Sequence, residues 1–285
     1  FHHVEPPPSL LNGLYRDEEP IRQDGYVTDV ITKEAEGFID RQPANQPFFL
    51  YVAYTAPHSP FQGPGDLRPS PLPPGSELWN QDEAPKDVYR AMLECMDHGI
   101  GSVLKKLDDR QMTNDTIVLF MSDNGGTASG RNAPFSGHKG GVFEGGIRVP
   151  CIVRWPEVLR PGLTFDEPCI TMDFSASMVR AAGAQPEPGR AFDGIDILKH
   201  LAERQPIAKR SLFWRARRAA NTRKAVRDGS LKYIADHTGN RLNEYLFDVL
   251  QDPCEKTNLL SSRGPEVQRL KLLLKEWEES VKTKR

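Results

Sequence analysis

Three short stretches of the sequence carry side chains that could bind an anion or a cation. Asp123 and Asn124 follow an apolar run that ends at Met121, and their oxygen atoms are donors that Ca2+ or Mg2+ prefers. Lys139 stands among glycines, so its ammonium is poorly shielded and could meet an anion as a compact charge. His58 follows another apolar run and could donate a hydrogen bond to an anion or protonate a leaving oxygen. Together these residue types predict a site for an anion beside a hard cation.

Each of these residues also has an ordinary structural interpretation. Asp-Asn-Gly is a common turn sequence, Lys139 could be a solvated loop lysine, and His58 could pack against the prolines beside it. Glu144 and Arg148 are predicted to form an ion pair that orders the glycine-rich stretch around them. Taken one at a time, the residues leave the choice between a structural and a catalytic role open.

Alternating helices and buried strands are predicted to position these residues. Helical spacing of apolar residues predicts helices over 26–41 and about 82–107. Short unbroken apolar runs predict strands at 48–54, 116–121 and 151–155. We therefore predict an α/β fold with a largely parallel or mixed central sheet flanked by helices. Ligands of such sheets bind beyond the carboxyl ends of strands, which is where the candidate residues stand.

The chain changes character after about residue 206. Four short segments follow, at 211–215, 223–227, 231–235 and 244–248, with a hairpin signal at Asp228-Gly229 between two of them. A charged amphipathic pattern then predicts a helix over about 265–282. These features indicate a small antiparallel sheet closed by a helix, and they predict two domains, residues 1–205 and residues 206–285.

Composition excludes several classes of protein. The 285 residues include 37 basic and 39 acidic side chains, for a formal charge of -2, so no basic excess marks a nucleic-acid binder. No apolar run approaches the roughly 20 residues that a membrane-spanning helix needs, so we expect no membrane span. Four cysteines are too few for a disulfide-dense scaffold of this length, and they leave the disulfide status of each thiol open.

The order and sequence of the candidate stretches resemble the sulfatase family, arylsulfatase type, of the alkaline-phosphatase-like superfamily. The match is carried by Ala56-Pro57-His58, by Ser122-Asp123-Asn124-Gly125 and by the lysine- and glycine-rich stretch 137–150. Weaker similarities continue at 193–196, 225–233, 245–248 and 252–253, so the resemblance spans nearly the whole chain in the family's order.

The resemblance implies a role for each candidate residue. Asp123 and Asn124 would ligate a divalent cation, usually Ca2+ with Mg2+ as an alternative. Lys139 would hold a sulfate oxygen and neutralise charge on the bridging oxygen, and His58 would bind the sulfate group and protonate the leaving alcohol. The substrate would be a small-molecule or carbohydrate sulfate ester. A periplasmic, secreted or lysosomal-type compartment would be expected from the family.

The sequence departs from the family pattern at the nucleophile. The family uses a formylglycine made within a Cys/Ser-x-Pro-x-Arg motif, and none of the four cysteines, at positions 95, 151, 169 and 254, nor any serine fits it. The family's paired aspartates are also missing, since Asp108-Asp109 lies at a charged helix end and is interpreted as a solvated cap. We therefore expect the chain to be the carboxyl-terminal portion of a sulfatase, inactive alone, with the formylglycine upstream.

Two other functions remain open at this stage. A phosphonate monoester or phosphodiester hydrolase of the same superfamily could share much of this frame. A non-catalytic sulfatase-like fragment would explain the missing nucleophile, although the retained site residues argue against it.

Overall fold

The computed structural model describes residues 14–68, 72–73, 75–81 and 83–282. Its helices are α1 (Val27–Arg41), α2 (Lys86–Asp109), α3 (Glu144–Ile147), α4 (Thr171–Ala181), α5 (Ile197–Glu203) and α6 (Gly264–Ser280), with a 3-10 turn at Glu77–Asn80. Its strands are β1 (Tyr15–Arg16), β2 (Glu19–Pro20), β3 (Val118–Met121), β4 (Cys151–Arg154), β5 (Ser211–Arg218), β6 (Asn221–Asp228), β7 (Leu231–Thr238) and β8 (Arg241–Asp248). The chain forms two compact units, the first running to Thr116 with 127–129, and the second comprising Ile117–Gly126 and the chain from Gly130.

The first unit is built around the packing of α1 on α2. Each helix buries one apolar stripe, so Ile39 and Met92 are each only 1% exposed. The helices approach closely at Gly99, where any β-carbon would overlap the Thr32 hydroxyl. Both helices were predicted within a few residues of their observed ends.

The strand predicted at 48–54 is not formed, and that prediction is wrong. Side chains along this segment alternate between exposed and half-buried, as in an extended chain, with Phe49 71% and Tyr51 80% exposed. A strand requires backbone hydrogen bonds to a neighbouring strand, and no strand in the described ranges pairs with this segment. The apolar run therefore belongs to none of the sheets in the described part of the chain.

The α/β part of the second unit contains one strand pair and three helices, α3, α4 and α5. β3 and β4 pair antiparallel, with Leu119 opposite Val153. Phe174 of α4 and Ile197 of α5 form a core that packs against side chains of this pair. The mixed α/β class is confirmed, but the parallel ladders expected for it do not occur among the described strands, because the two predicted strands that pair run in opposite directions.

The carboxyl-terminal part of the second unit is a four-stranded antiparallel sheet in the order β5-β6-β7-β8. Each strand has eight residues, and two-residue turns join them at 219–220, 229–230 and 239–240. α6 covers one face through Leu270 and Leu274, and Val142 lies in the core on Ile234 of the sheet. The predicted sheet, its Asp228-Gly229 turn and its closing helix are confirmed, while the domain boundary at 205 stays a prediction.

No helix in the described part of the chain has both the length and the apolar character that crossing a lipid bilayer requires.

Candidate functional site

Asp123 and Asn124 stand immediately beyond the carboxyl end of β3. Asp123 is exposed and Asn124 is half-buried. The Ser122 hydroxyl donates a hydrogen bond of 2.9 Å to the Asn124 carbonyl oxygen, which fixes the backbone of this turn. The strand thus delivers one carboxylate and one carboxamide to the end of the sheet.

Close backbone packing joins this turn to the stretch that carries Lys139. We call residues 136–143 the lysine loop. The Lys139 amide donates to the Gly126 carbonyl oxygen at 3.0 Å, and the Gly125 amide donates to the Gly146 carbonyl oxygen at 3.0 Å. A β-carbon on Gly125 would overlap the carbonyl oxygen of Gly145, so glycine is required for this approach. The tertiary structure therefore holds the Asp123–Asn124 turn against the lysine loop.

Asn132 fastens the same turn from a third segment. Its side-chain amide donates to the Gly126 carbonyl oxygen and its side-chain oxygen accepts from the Gly126 amide, both at 2.8 Å. The Asn132 carboxamide thus makes with Gly126 the same two hydrogen bonds that a backbone partner in an antiparallel strand pair would make. Asn132 is a loop-ordering residue in this structure.

The charged groups of the site keep their hydrogen-bonding capacity. Across the described ranges, neither the Asp123 carboxylate nor the Lys139 ammonium has a side-chain hydrogen bond or an ion pair. The side-chain oxygens of Asp123 and Asn124 are the kind of ligand that a hard divalent cation prefers, but such an ion binds about six or more oxygen ligands. No group of three or more His, Cys, Asp or Glu side chains that could hold a metal ion occurs among the described residues. Asp123 and Asn124 can therefore supply part of a coordination shell.

His58 belongs to the first unit, in a turn in which its amide donates to the Thr55 carbonyl oxygen at 2.9 Å. Its ring is exposed, and its Nδ1 lies 2.7 Å from the Ser59 carbonyl oxygen. Because a carbonyl oxygen only accepts, this contact places a proton on Nδ1. A ring that also donates through Nε2 must be the doubly protonated imidazolium.

Glu144 lies in a buried ion cluster that the sequence analysis missed. The expected pair with Arg148 is present at 3.7 Å, which confirms that prediction. The shorter contact joins Glu144 to Lys232 of β7 at 2.8 Å, and Lys232 also contacts Glu255 at 2.9 Å. Lys232 could have been recognised as a charge beside the apolar residues that begin β7, but its partners lie 88 and 23 positions away.

The four cysteines are free thiols. Burial, reinforced by the hydrogen bond to Asp29, raises the pKa of Cys95 to about 11, and burial also raises the pKa of Cys169. A thiol with a raised pKa is protonated near neutral pH and is a poor nucleophile. These two cysteines are therefore not suited to act as nucleophiles.

Comparisons with known proteins identify the family to which the chain is similar. Residues 6–184 match the Sulfatase family. The chain is 31% identical over 206 residues to the uncharacterized sulfatase YdeN of Escherichia coli (strain K12), covering 70% of this chain and 36% of that protein. It is 35% identical over 203 residues to steryl-sulfatase of Mus musculus, covering 67% of this chain and 30% of that protein.

The solved structure of Ps i-CgsB in complex with k-i-k-neocarrahexaose superposes with a TM-score of 0.79 at 25% identity, over 94% of this chain and 58% of that chain. The chain spans 36% and 30% of the lengths of the two curated relatives. The family match covers more than half of the chain, and its residues include both loops that meet beyond β3. This chain belongs to the sulfatase family.

Proposed function

We propose that this chain forms part of the active site of a sulfuric ester hydrolase. The observation that carries the proposal is the hydrogen bond from the Lys139 backbone amide to the Gly126 carbonyl oxygen, which holds the backbone of Lys139 against the Asp123–Asn124 turn. A lysine whose backbone is bonded to the turn that carries two oxygen ligands suits an anionic substrate that is held together with a cation.

Each candidate residue has a defined task in this proposal. Lys139 holds a sulfate oxygen and neutralises the charge that develops on the bridging oxygen as the ester bond breaks. His58 binds the sulfate group and, as an imidazolium, donates a proton to the leaving alcohol. Asp123 and Asn124 ligate Ca2+ or Mg2+, which when bound would draw electron density from the sulfate oxygens.

The nucleophile in this proposal is a formylglycine supplied by a segment outside these 285 residues, because no Cys/Ser-x-Pro-x-Arg motif occurs in them. The chain alone is then inactive. The substrate class is a small-molecule or carbohydrate sulfate ester, in keeping with a steryl-sulfatase among the relatives and a neocarrahexaose bound to a structural neighbour. A periplasmic, secreted or lysosomal-type location is the corresponding expectation.

Steady-state kinetics of a protein that carries this chain together with its nucleophile segment tests the proposal. We expect turnover of 4-nitrophenyl sulfate to exceed that of an aryl phosphonate. Lys139→Ala should lower kcat for the sulfate ester by well over tenfold, because charge stabilisation is lost in the transition state. Lys275→Ala, which removes an exposed lysine of α6, is the matched control and should leave kcat unchanged. Preferred turnover of the phosphonate, or an unchanged kcat in Lys139→Ala, would overturn the proposal.

A further inference from the structure

Three charged side chains are buried together beneath the lysine loop. Lys232 and Glu255 have fully buried side chains, and that of Glu144 is 4% exposed. The Lys232 ammonium donates to Glu144 Oε1 at 2.8 Å and to Glu255 Oε1 at 2.9 Å. We call Glu144, Lys232 and Glu255 the buried ion cluster. It joins α3, β7 and the segment after β8.

A backbone contact completes the cluster. The second carboxylate oxygen of Glu255 accepts a hydrogen bond of 2.6 Å from the Glu144 amide, at the first residue of α3. Burial raises the pKa of Glu255, while Lys232 and the Glu144 amide favour its ionised form. Each polar group therefore depends on the others, since a lone charge at this depth would be costly.

Hydrogen bonds lead from α3 to the lysine loop. The amide of Gly145, the residue after Glu144, donates to the Ser136 carbonyl oxygen at 2.7 Å. The Gly146 carbonyl oxygen accepts a hydrogen bond of 3.0 Å from the Gly125 amide. Gly125 precedes Gly126, whose carbonyl oxygen binds the Lys139 amide. A shift of α3 would consequently move both the start of the lysine loop and the turn to which Lys139 is bonded.

The carboxyl-terminal sheet and the segment after it hold the lysine loop at three further points. The Ser136 hydroxyl donates to the Cys254 carbonyl oxygen at 2.6 Å, beside Glu255. Arg223 of β6 donates to the Gly140 carbonyl oxygen at 3.1 Å, next to Lys139. Val142, 1% exposed, packs on the sheet. The loop is thus anchored on both sides of Lys139.

We propose that Glu144, Lys232 and Glu255 are positioning residues, through which the carboxyl-terminal sheet fixes the lysine loop and so the placement of the Lys139 ammonium. A buried ion cluster adds little net stability compared with a well-packed apolar core, but its contacts are directional. Fixed direction is what a catalytic ammonium needs, because a misplaced group loses much of its effect on the transition state. The catalytic consequence rests on the proposed sulfatase function, whereas the ordering of the loop does not.

Amide hydrogen exchange tests the ordering without any activity assay. Lys232→Met removes the shared ammonium and keeps most of the side-chain volume. We expect the amides of Gly145 and Gly146 to exchange at least tenfold faster in this variant. The matched control is Arg210→Met, which breaks another largely buried ion pair of the same unit, with Asp173, away from the lysine loop. Unchanged exchange in Lys232→Met, or an equal acceleration in the control, would overturn the proposal.

A double-mutant cycle tests the route through Lys139 in the protein that carries the nucleophile segment. In the otherwise unchanged protein, Lys232→Met should lower kcat at least tenfold and change KM by no more than twofold. In the Lys139→Ala variant, the same substitution should lower kcat by less than twofold. Equal losses in both backgrounds would show that Lys232 acts by another route and would overturn the proposal. If Lys232→Met does not fold, Glu255→Gln, which leaves Lys232 paired with Glu144, replaces it with the same expectations.

The two tests separate failure of this proposal from failure of the proposed function. Accelerated exchange in a protein that turns over no sulfate ester would leave the loop-ordering role standing and remove the sulfatase function. Sulfate turnover that depends on Lys139 but not on Lys232 would support the sulfatase function and overturn the positioning role of the buried ion cluster.

Discussion

Two β-forming regions of this chain differ sharply in how they bury apolar side chains. In the carboxyl-terminal sheet, Val226, Ile234 and Leu246 are fully buried. In the α/β part of the second unit, Ile152 of β4 is 64% exposed, and in the first unit Tyr51 of the run 48–54 is 80% exposed. The exposed segments are the more apolar ones, so the difference comes from what lies next to each strand and not from apolar content.

Sequence separation explains the contrast. Each strand of the carboxyl-terminal sheet pairs with the strand that directly follows it across a two-residue turn, so its neighbours are supplied locally. β3 instead pairs with β4 across a gap of about thirty residues, and 48–54 pairs with no described strand. Strands of an α/β sheet depend on partners remote in sequence, whereas a meander carries its partners with it.

The largest difference in stability is expected between matched substitutions at two isoleucines of the second unit. Ile234→Ala should destabilise the sheet by about 2–5 kcal/mol, because it leaves a cavity in a closed core. Ile152→Ala, at an exposed position of β4, should change stability by no more than about 0.5 kcal/mol. Urea unfolding followed by circular dichroism measures both. Similar costs at the two positions would contradict the contrast between the regions.

An intermediate effect is expected at the ion pair that anchors α4. Asp173 is fully buried and accepts hydrogen bonds from Arg210 and from the amides of Ile170 and Ile195. Burial alone would raise the pKa of Asp173, but these donors outweigh it and hold the pKa below its ordinary value. The stabilisation is therefore complete above the unfolded pKa of about 3.9 and is lost as pH falls through the lower folded pKa.

Asp173→Asn should consequently cost about 1–3 kcal/mol near neutral pH and flatten the acid limb of the stability curve. Thermal unfolding between pH 2 and pH 7 compares the variant with the unchanged protein. Parallel curves for the two proteins would mean that Asp173 does not carry the acid sensitivity. In that case, the ion pair between Asp173 and Arg210 would not be what stabilises the α/β part of the second unit.

The smallest effect is expected at the turns of the carboxyl-terminal sheet. Gly229 has a φ of 63°, and Ala219 occupies the equivalent turn position with a φ of 51°. Gly229→Ala should destabilise by about 1 kcal/mol, and Ala219→Gly should stabilise by less than that, because only glycine adopts this conformation without strain. Urea midpoints of both variants give the comparison. Effects of the same sign would show that turn strain does not limit the local pairing.

Local patterns predicted much of the fold. Helical spacing located α1 and α2 within a few residues, and Asp228-Gly229 located a turn of the sheet, because both signals depend on residues a few positions apart. The run 48–54 was predicted as a strand from the same kind of signal, and the prediction failed because pairing is not a local property.

The candidate site divides in the same way. Asp123, Asn124, Lys139 and His58 could be named from residue type and their place after apolar runs, and their roles remain predictions. The buried ion cluster could not be named, because Lys232 finds Glu144 across 88 positions and Glu255 across 23.

The sequence by itself determined which residues could do chemistry, which family pattern they follow, and where helices and hairpins form. These properties depend on side-chain type and on short-range backbone preferences. Only the tertiary structure decided that Gly125 lets the Asp123–Asn124 turn approach α3, that the same turn is bonded to the lysine loop, and that a lysine of β7 lies buried between two glutamates. Close backbone approach and burial of charge depend on what the rest of the chain brings to the same place.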